Sequence, residues 1–149
     1  AVVDGETPER VINEDIARQT GATDEYIDEV CARELAEIER RRSRYLGSRP
    51  RADPRGRTVI VVDDGIATGA TMIAALHAVR AHAPARLVCA VPVAAPDSLE
   101  AVRPFADEVV CLYAPEDFGA VGRFYEDFGQ VDDEEVVRIL AQPPQAGPA

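Results

Sequence analysis

The chain of 149 residues has the length of one domain, and its 46% hydrophobic content excludes disorder over most of that length. The formal net charge of −11 argues against nucleic acid as a partner, and because all 16 basic residues are Arg, mechanisms that need a Lys are excluded. No membrane span is predicted, since the longest charge-free apolar stretch is interrupted by Gly, Thr and His. Three widely spaced cysteines are interpreted as reduced and buried, which favours a cytoplasmic location: Cys31, Cys89 and Cys111.

Residues 1–57 are predicted to form an N-terminal helical segment, or hood, followed by a linker. A short helix is expected around residues 11–18. Thr23 or Asp24 can cap a long helix, because apolar residues then recur at helical spacing as far as residue 46. Gly47 is a plausible stop for that helix, and the Gly-, Pro- and Arg-rich residues after it predict a loop.

Residues 58–141 change character and predict an α/β core. Apolar strands alternate with helices, a pattern that favours right-handed crossovers and an open, mainly parallel sheet flanked by helices. The expected order is strand 58–62, helix 70–83, strand 86–91, helix 96–106, strand 108–113 and helix 132–140. The first strand is a β-branched run, typical of a strand buried on both faces. The Pro-, Gly- and Ala-rich residues 142–149 are predicted to be a disordered tail.

The chemistry is expected where the first strand of this core ends. Asp63 and Asp64 follow four apolar residues, and a loop of small residues then opens a helix. Ligands of open parallel sheets bind beyond the carboxyl ends of the strands, and a helix N-terminus suits a phosphate. Two glycines would let a phosphate approach closely, and Thr68 and Thr71 add hydroxyl donors.

The acidic pair needs a different partner from the phosphate, because two carboxylates would repel an anion that they faced. They are expected to face ribose hydroxyls or a Mg²⁺ already bound to the substrate, or to stabilise positive charge developing at a sugar C1. The combined pattern of residues 59–71 therefore indicates a sugar phosphate ligand.

This run resembles the phosphoribosyl-pyrophosphate (PRPP) binding motif of the type I phosphoribosyltransferases, with Gly65 in place of the usual apolar residue. The resemblance implies a Rossmann-like fold and transfer of the phosphoribosyl group of PRPP to a nitrogen nucleophile, such as a nucleobase, with release of pyrophosphate. It implies that Asp63 and Asp64 are the catalytic pair, serving the ribose 2- and 3-hydroxyls directly or through Mg²⁺, the expected cofactor. It also implies a 5-phosphate site formed by Ile66, Ala67, Thr68, Gly69, Ala70 and Thr71.

The resemblance leaves the acceptor open. Ala67 stands where family members that act on 6-oxopurines have an Asp that serves as a base toward the purine. More loosely, residues 57–135 are similar to a bacterial group of proteins assigned as phosphoribosyltransferases, whose acceptor is uncertain. In that group further chain precedes the equivalent of residues 1–57 and carries the first strand and the pyrophosphate loop, so this chain is expected to lack the family's N-terminal part.

Three functional hypotheses follow. The chain is an active transferase, or it binds PRPP or a nucleoside 5'-monophosphate as a regulatory ligand without turnover, or it is a fragment that is inactive without the missing part. In each case we expect a homo-oligomer or association with the missing N-terminal segment, and no nucleic-acid or membrane partner.

Three other groups of residues have both a functional and a structural interpretation. Arg40, Arg41, Arg42 and Arg44 lie in an Arg-rich segment and would form a pyrophosphate clamp, a solvated helix end, or a contact with an acidic partner surface. Of the aromatic residues at 118–128, Phe124 and Tyr125 are candidates for stacking on a base, the alternative being that they pin the C-terminal segment to the sheet. Weaker candidates are Asp97 as a substrate contact, the acidic run 132–135 as a helix N-terminus, and His77 and His82 as structural residues.

Overall fold

A computed structural model describes residues 2–3, 9–10, 17–18, 20–47, 49 and 52–142 of the chain. In chain order the strands and helices are β1 (Val2–Val3), β2 (Glu9–Arg10), α1 (Asp24–Leu46), β3 (Thr58–Val62), α2 (Ala70–Ala81), β4 (Arg86–Val93), α3 (Pro96–Val102), β5 (Glu108–Tyr113) and α4 (Asp133–Leu140). Most of the predicted helix at 11–18 and most of the predicted tail lie outside the described residues.

The central element is a parallel three-stranded sheet with the order β3-β4-β5. Helix α2 connects its first two strands, and α3 with a 3-10 turn at Arg103–Phe105 connects the other two. Strands β1 and β2 form a separate antiparallel pair that lies against α2. The predicted α/β fold with a parallel sheet flanked by helices is confirmed. No helix among the described residues is long and apolar enough to cross a membrane.

The long N-terminal helix begins and ends as predicted. The Oγ1 atom of Thr23 accepts a hydrogen bond from the backbone N–H of Tyr26 at 3.2 Å, which caps α1. Gly47 follows the last turn with a φ of 56°, a left-handed conformation that glycine adopts without steric cost.

The other boundaries shift by a few residues for local reasons. Helix α2 ends at Ala81, because Ala83 adopts a φ of 52° directly before Pro84, whose ring disfavours a helical backbone at the preceding residue. Strand β4 extends beyond its predicted end, because Val93 pairs with Tyr113 of β5. The predicted helix 96–106 tightens into its 3-10 turn where Pro104 removes a backbone donor.

The hydrophobic core lies on one face of the sheet. Side chains from β4 pack there against side chains of α2 and α3, and the fully or nearly fully buried members include Met72, Leu76, Leu87, Cys89, Val91, Leu99 and Val102. Two right-handed crossovers that progress in the same direction across a sheet place both helices on the same side. The described chain therefore covers one face and leaves the other open.

The prediction that strand 58–62 is buried on both faces is wrong. Ile60 is 59% exposed and Val62 is 71% exposed, and on β5, the opposite edge strand of the sheet, Leu112 is 80% exposed. A β-branched run is compatible with a strand that is covered on both faces. It is equally compatible with a strand whose side chains alternate between a covered face and an open face. On the open face, the edge strands β3 and β5 thus expose apolar side chains, whereas the central strand β4 is shielded by its two neighbours.

The cysteine prediction is only partly right. All three thiols are free of disulfides, but only Cys89 is buried, whereas Cys31 and Cys111 are half-buried. Burial raises the pKa of the Cys89 thiol, which favours its neutral form.

The arginines at the end of α1 hold α4 rather than extend toward a ligand. Arg40 and Arg44 each donate to Oδ2 of Asp133, at 3.1 and 3.0 Å, and the Tyr45 hydroxyl donates to its Oδ1 at 2.5 Å. Arg44 also pairs with Glu134. The clamp hypothesis is therefore not supported, and the acidic surface that the arginines meet belongs to the same chain.

The acidic run at 132–135 has two structural roles. It begins α4, as predicted, and it also contacts α1, which was not predicted. Asp132 caps α4 by accepting a hydrogen bond from the Glu135 backbone N–H at 2.8 Å. Asp133 and Glu134 bind the arginines of α1, 89 to 93 residues away in sequence. The remaining arginines of the proposed clamp pair within α1, Arg41 with Glu37 and Arg42 with Glu39.

Acid is expected to weaken this contact between α1 and α4. Hydrogen bonds from Tyr45 and Arg40 hold the pKa of Asp133 below its usual 3.8, and those from Arg40 and Arg41 lower the pKa of Glu37 to about 2. Since both pKa values are lower in the folded state, the stabilisation is complete above the unfolded-state values and is lost as the pH falls through the folded-state values.

The measurement is the difference in thermal unfolding midpoint between the wild-type chain and Asp133→Asn at a series of pH values. The difference should be largest near neutral pH and should shrink below about pH 4, where Asp133 of the unfolded chain binds a proton more readily than Asp133 of the folded chain. A difference that does not change down to about pH 2 would show that the charge of Asp133 contributes nothing to the contact.

Candidate functional site

The predicted motif forms a turn at the carboxyl end of β3. Beyond Asp63 and Asp64 the chain continues along the sheet, since the backbone N–H of Ile66 donates to Val93 at 3.0 Å and its carbonyl accepts from Ala95 at 2.9 Å. The hydroxyl of Ser98 donates to the carbonyl oxygen of Ala67 at 2.7 Å. The end of β4 and the start of α3 therefore hold the loop that leads into α2.

Gly69 makes the sharp entry into α2 possible. It is buried, has a φ of 80°, and is the N-cap residue of the helix. A Cβ atom at this position would lie 3.3 Å from the Cγ2 atom of Val102, so a side chain would be both strained and crowded. The backbone conformation and the packing at position 69 therefore require glycine, independently of any phosphate that approaches the loop.

The first turn of α2 differs from those of α1 and α4. No side chain caps it and no acidic residue lies in it. In contrast, α1 begins with Asp24 and Glu25, and α4 begins with three acidic residues. Because the first backbone N–H groups of a helix have no partner within the helix, α2 presents free donors and the positive end of its dipole.

A cavity of about 150 Å³ lies at this helix N-terminus. It is lined by Asp63, Gly65, Ile66, Ala67, Thr68, Gly69, Thr71, Met72 and Val121. All residues of the predicted phosphate loop line it except Ala70, which is half-buried. Ala67, Thr68 and Thr71 are exposed, whereas Ile66 and Gly69 are buried, so the two hydroxyls are accessible to a ligand.

The two carboxylates are not equivalent. Asp63 is half-buried, lines the cavity, and accepts the backbone N–H of Asp64 on its Oδ1 atom at 3.0 Å. Burial raises the pKa of Asp63 above its usual 3.8; the hydrogen bond opposes that effect and the charge of Asp64 adds to it. Asp64 is exposed and is not among the cavity-lining residues.

The donor set fits a Mg²⁺ that arrives with a substrate better than a resident metal ion. Among the described residues, no group of three or more His, Cys, Asp or Glu side chains is arranged to hold a metal. Two adjacent carboxylates are nevertheless a normal protein contribution to Mg²⁺, which keeps several waters and takes its other ligands from phosphates.

The aromatic candidates occupy packed positions beside the acidic pair. Phe124 lies between Tyr113 and the buried Phe118, with ring centroids 5.9 and 5.6 Å away, so it pins the segment that follows β5. Tyr125 donates its hydroxyl to the carbonyl oxygen of Asp64 at 2.7 Å and packs its ring against Phe128, 5.1 Å away. Base stacking by Phe124 or Tyr125 stays a prediction, and for Phe124 the packing alternative describes the observed contacts.

Of the weaker candidates, Asp97 and His77 lie in different surroundings. Asp97 is exposed in the first turn of α3. His77 packs against Phe105 with ring centroids 4.9 Å apart, which fits its structural interpretation.

Sequence reasoning missed Val121 and Ser98. A Cβ atom at Gly65 would lie 2.8 and 2.9 Å from the two Cγ atoms of Val121, so the valine fills the space that the glycine leaves. The unusual glycine at position 65 was the available signal, since it indicates that another group approaches the backbone closely. Ser98 carried no such signal, because its bond to Ala67 depends on the packing of α3.

Comparisons with known proteins agree with this picture. Residues 10–128 match the model of the phosphoribosyl transferase domain. Two Mycobacterium tuberculosis proteins, named "Putative phosphoribosyl transferase Rv0571c" (strain ATCC 25618 / H37Rv) and "Putative phosphoribosyl transferase MT0597" (strain CDC 1551 / Oshkosh), are each 43% identical over 136 residues. That alignment covers 91% of this chain and 31% of each relative.

A solved structure is also similar. The crystal structure of TT1426 from Thermus thermophilus matches with a TM-score of 0.69 and 48% sequence identity, over 80% of this chain and 57% of that chain. The present chain thus spans about a third of the length of the curated relatives and just over half of the solved one.

Proposed function

Because the chain belongs to the phosphoribosyl transferase domain family and has the type I phosphoribosyltransferase fold, we propose that it binds PRPP and transfers the phosphoribosyl group to a nitrogen nucleophile. The observation that carries the proposal is the N-terminus of α2, which has neither a side-chain cap nor an acidic first turn and opens onto a cavity whose lining includes two Gly, two Thr and Asp63. A phosphate group bound there would accept hydrogen bonds from the backbone N–H groups at the start of α2 and from the hydroxyls of Thr68 and Thr71.

The acidic pair would act on the sugar side of the ligand. With the 5-phosphate at α2, the ribose lies toward the end of β3, within reach of Asp63 and Asp64. The carboxylates would orient the ribose hydroxyls and hold the Mg²⁺ that accompanies pyrophosphate and neutralises its charge as a leaving group.

The reaction would then be a substitution at C1 of the ribose. The C1–O bond breaks and pyrophosphate leaves with that electron pair, the nitrogen lone pair forms the new bond to C1, and the proton of that nitrogen passes to pyrophosphate or water. Positive charge develops on the ribose ring because bond breaking runs ahead of bond formation, and nearby carboxylates stabilise it. The protein contributes positioning and electrostatic stabilisation, which is consistent with a site that lacks Lys.

Calorimetric titration of the 149-residue chain with PRPP and Mg²⁺ tests the proposal. We expect saturable binding that Thr68→Ala and Asp64→Asn each weaken by about three- to tenfold, the effect of one lost hydrogen bond. Thr58→Ala is the matched control, since Thr58 is an exposed threonine at the opposite end of β3. No binding, or binding that the Thr68→Ala, Asp64→Asn double variant leaves unchanged, would refute it.

Binding without turnover is a second candidate, favoured by Ala67. This residue has no acid–base group and lies exposed in the loop, where the resemblance places an Asp in enzymes that act on 6-oxopurines. Release of pyrophosphate from PRPP in the presence of a panel of nucleobases separates the two candidates. Release with any base supports transfer, and tight binding without release supports a regulatory ligand.

A further inference from the structure

The peptide units around Asp64 are held from both sides. The backbone N–H of Asp64 donates to Oδ1 of Asp63, and its carbonyl oxygen accepts the hydroxyl of Tyr125 at 2.7 Å. Strand β3 ends at Val62, so this carbonyl lies beyond the regular ladder of the sheet. Without Tyr125 this carbonyl would rely on solvent, and the turn that carries two like charges would lose one of the contacts that fix its orientation.

A second contact from the same segment fixes the next residue of the turn. The side chain of Val121 occupies the space where a Cβ atom at Gly65 would lie. The acid turn, residues 63–65, is therefore tied at two points to residues 121–128, which we call the aromatic strap.

The strap has side-chain contacts of its own, although Phe128 is 50% exposed. The ring of Tyr125 lies against Phe128, and Phe128 packs so closely on Gly122 that a Cβ atom there would be 2.9 Å from its Cδ1 atom. Tyr125 is half-buried, its hydroxyl is used by the backbone of Asp64, and its ring contacts Phe128. These contacts suit a residue that holds the turn better than one that stacks on a base.

We propose that Tyr125 is a positioning residue, which sets the orientation of the Asp63–Asp64 turn toward the ribose hydroxyls. This inference rests on the proposed function, because it assigns the turn to the sugar. The inference predicts selectivity. Loss of the Tyr125 hydroxyl should weaken the binding of ligands that contact the turn and should not change the binding of ligands that contact only the N-terminus of α2.

The test compares ribose 5-phosphate with inorganic phosphate on Tyr125→Phe, with both dissociation constants measured by NMR titration. The dissociation constant for ribose 5-phosphate should rise about three- to tenfold, as for one lost hydrogen bond, and that for phosphate should stay at its wild-type value. Tyr113→Phe is the matched control and should change neither constant. In the part of the chain that the structure describes, the Tyr113 hydroxyl makes no hydrogen bond, although the Tyr113 ring contacts Phe124 of the aromatic strap.

A double-variant cycle shows whether Tyr125 acts through the acid turn. In an Asp64→Asn background, the effect of Tyr125→Phe on ribose 5-phosphate should be much smaller than in the wild-type chain, because contacting residues are coupled. Three results would overturn the inference: equal losses for both ligands, an undiminished effect beside Asp64→Asn, or wild-type affinity of Tyr125→Phe for ribose 5-phosphate. The last result is also what base stacking predicts, since phenylalanine keeps the ring.

Failure of this inference is distinguishable from failure of the proposed function. If the wild-type chain binds ribose 5-phosphate and Tyr125→Phe has no selective effect, only the role of Tyr125 is wrong. If the wild-type chain binds neither ribose 5-phosphate nor PRPP, both are wrong.

Discussion

Thr71→Glu is expected to weaken binding of ribose 5-phosphate by at least about tenfold while leaving the fold as stable as before, or slightly more stable. Thr71 is exposed, lies in the first turn of α2 and lines the cavity. A carboxylate there would face the bound phosphate, and two unit charges about 4 Å apart interact by roughly 4 kcal/mol at the effective dielectric constant of a protein surface. Solvent and salt reduce that repulsion, which is why the expectation is a lower bound.

The same carboxylate should favour the helix. Acidic residues in a first turn stabilise a helix by about 0.3–1 kcal/mol through its dipole, and α1 and α4 both begin this way. The absence of acidic residues from the first turn of α2 therefore has no benefit for folding, and the proposed phosphate ligand would account for it. A variant that is more stable but binds more weakly would separate the two requirements.

Thr71→Gln is the control for size, because it has nearly the same shape as the Glu variant without its charge. It should lose much less affinity, and the difference between the two variants should shrink at high salt. Equal losses of affinity in the Gln and Glu variants would show that the size of the side chain, and not its charge, causes the effect. Wild-type affinity in Thr71→Glu would mean that the phosphate does not bind at α2.

Leu87→Ala should destabilise the fold by about 2–5 kcal/mol, whereas Leu112→Ala should change the free energy of unfolding by less than about 0.5 kcal/mol. The two leucines lie on neighbouring strands, but Leu87 is fully buried against α2 and α3 while Leu112 lies on the open face. Truncating Leu87 removes apolar burial and leaves a cavity, and truncating Leu112 removes a side chain that is already in solvent.

Urea denaturation of the two variants measures this difference directly, provided that the denaturant slope stays constant. A large loss for Leu112→Ala would contradict the open face in solution. It would show that further protein, from a second copy or from another polypeptide segment, covers the sheet there. The result therefore also bears on the expectation of a homo-oligomer or an associated N-terminal segment.

The elements that sequence predicted well are those with local causes. The strand at 58–62, the Thr23 cap and the stop at Gly47 follow from side-chain periodicity and backbone preference within a few residues. The loop from Asp63 to Thr71 is continuous in sequence, so its composition alone indicated a phosphate at a helix N-terminus. The structure places that loop at the uncapped N-terminus of α2, and phosphate binding there stays a prediction.

What sequence missed depends on residues that are far apart in the chain. The Arg cluster of α1 had three interpretations, a ligand clamp, a solvated helix end and a contact with an acidic partner surface, and none identified Asp133, because it is about 90 residues away. Tyr125 was considered for base stacking, since nothing local indicates a bond to the backbone of Asp64. The open face of the sheet was missed because side-chain character shows that a strand is apolar, not how many layers cover it.

The most direct test of the phosphate site is an amide NMR titration of the 149-residue chain with ribose 5-phosphate. Backbone N–H groups that donate to a phosphate shift strongly, so the largest changes should fall on Thr68, Gly69, Ala70 and Thr71, with smaller changes at Asp63 and Asp64. Saturable shifts at those residues are the predicted result. Shifts concentrated at the arginines of α1, or no shifts in the α2 loop at saturating ligand, would contradict it.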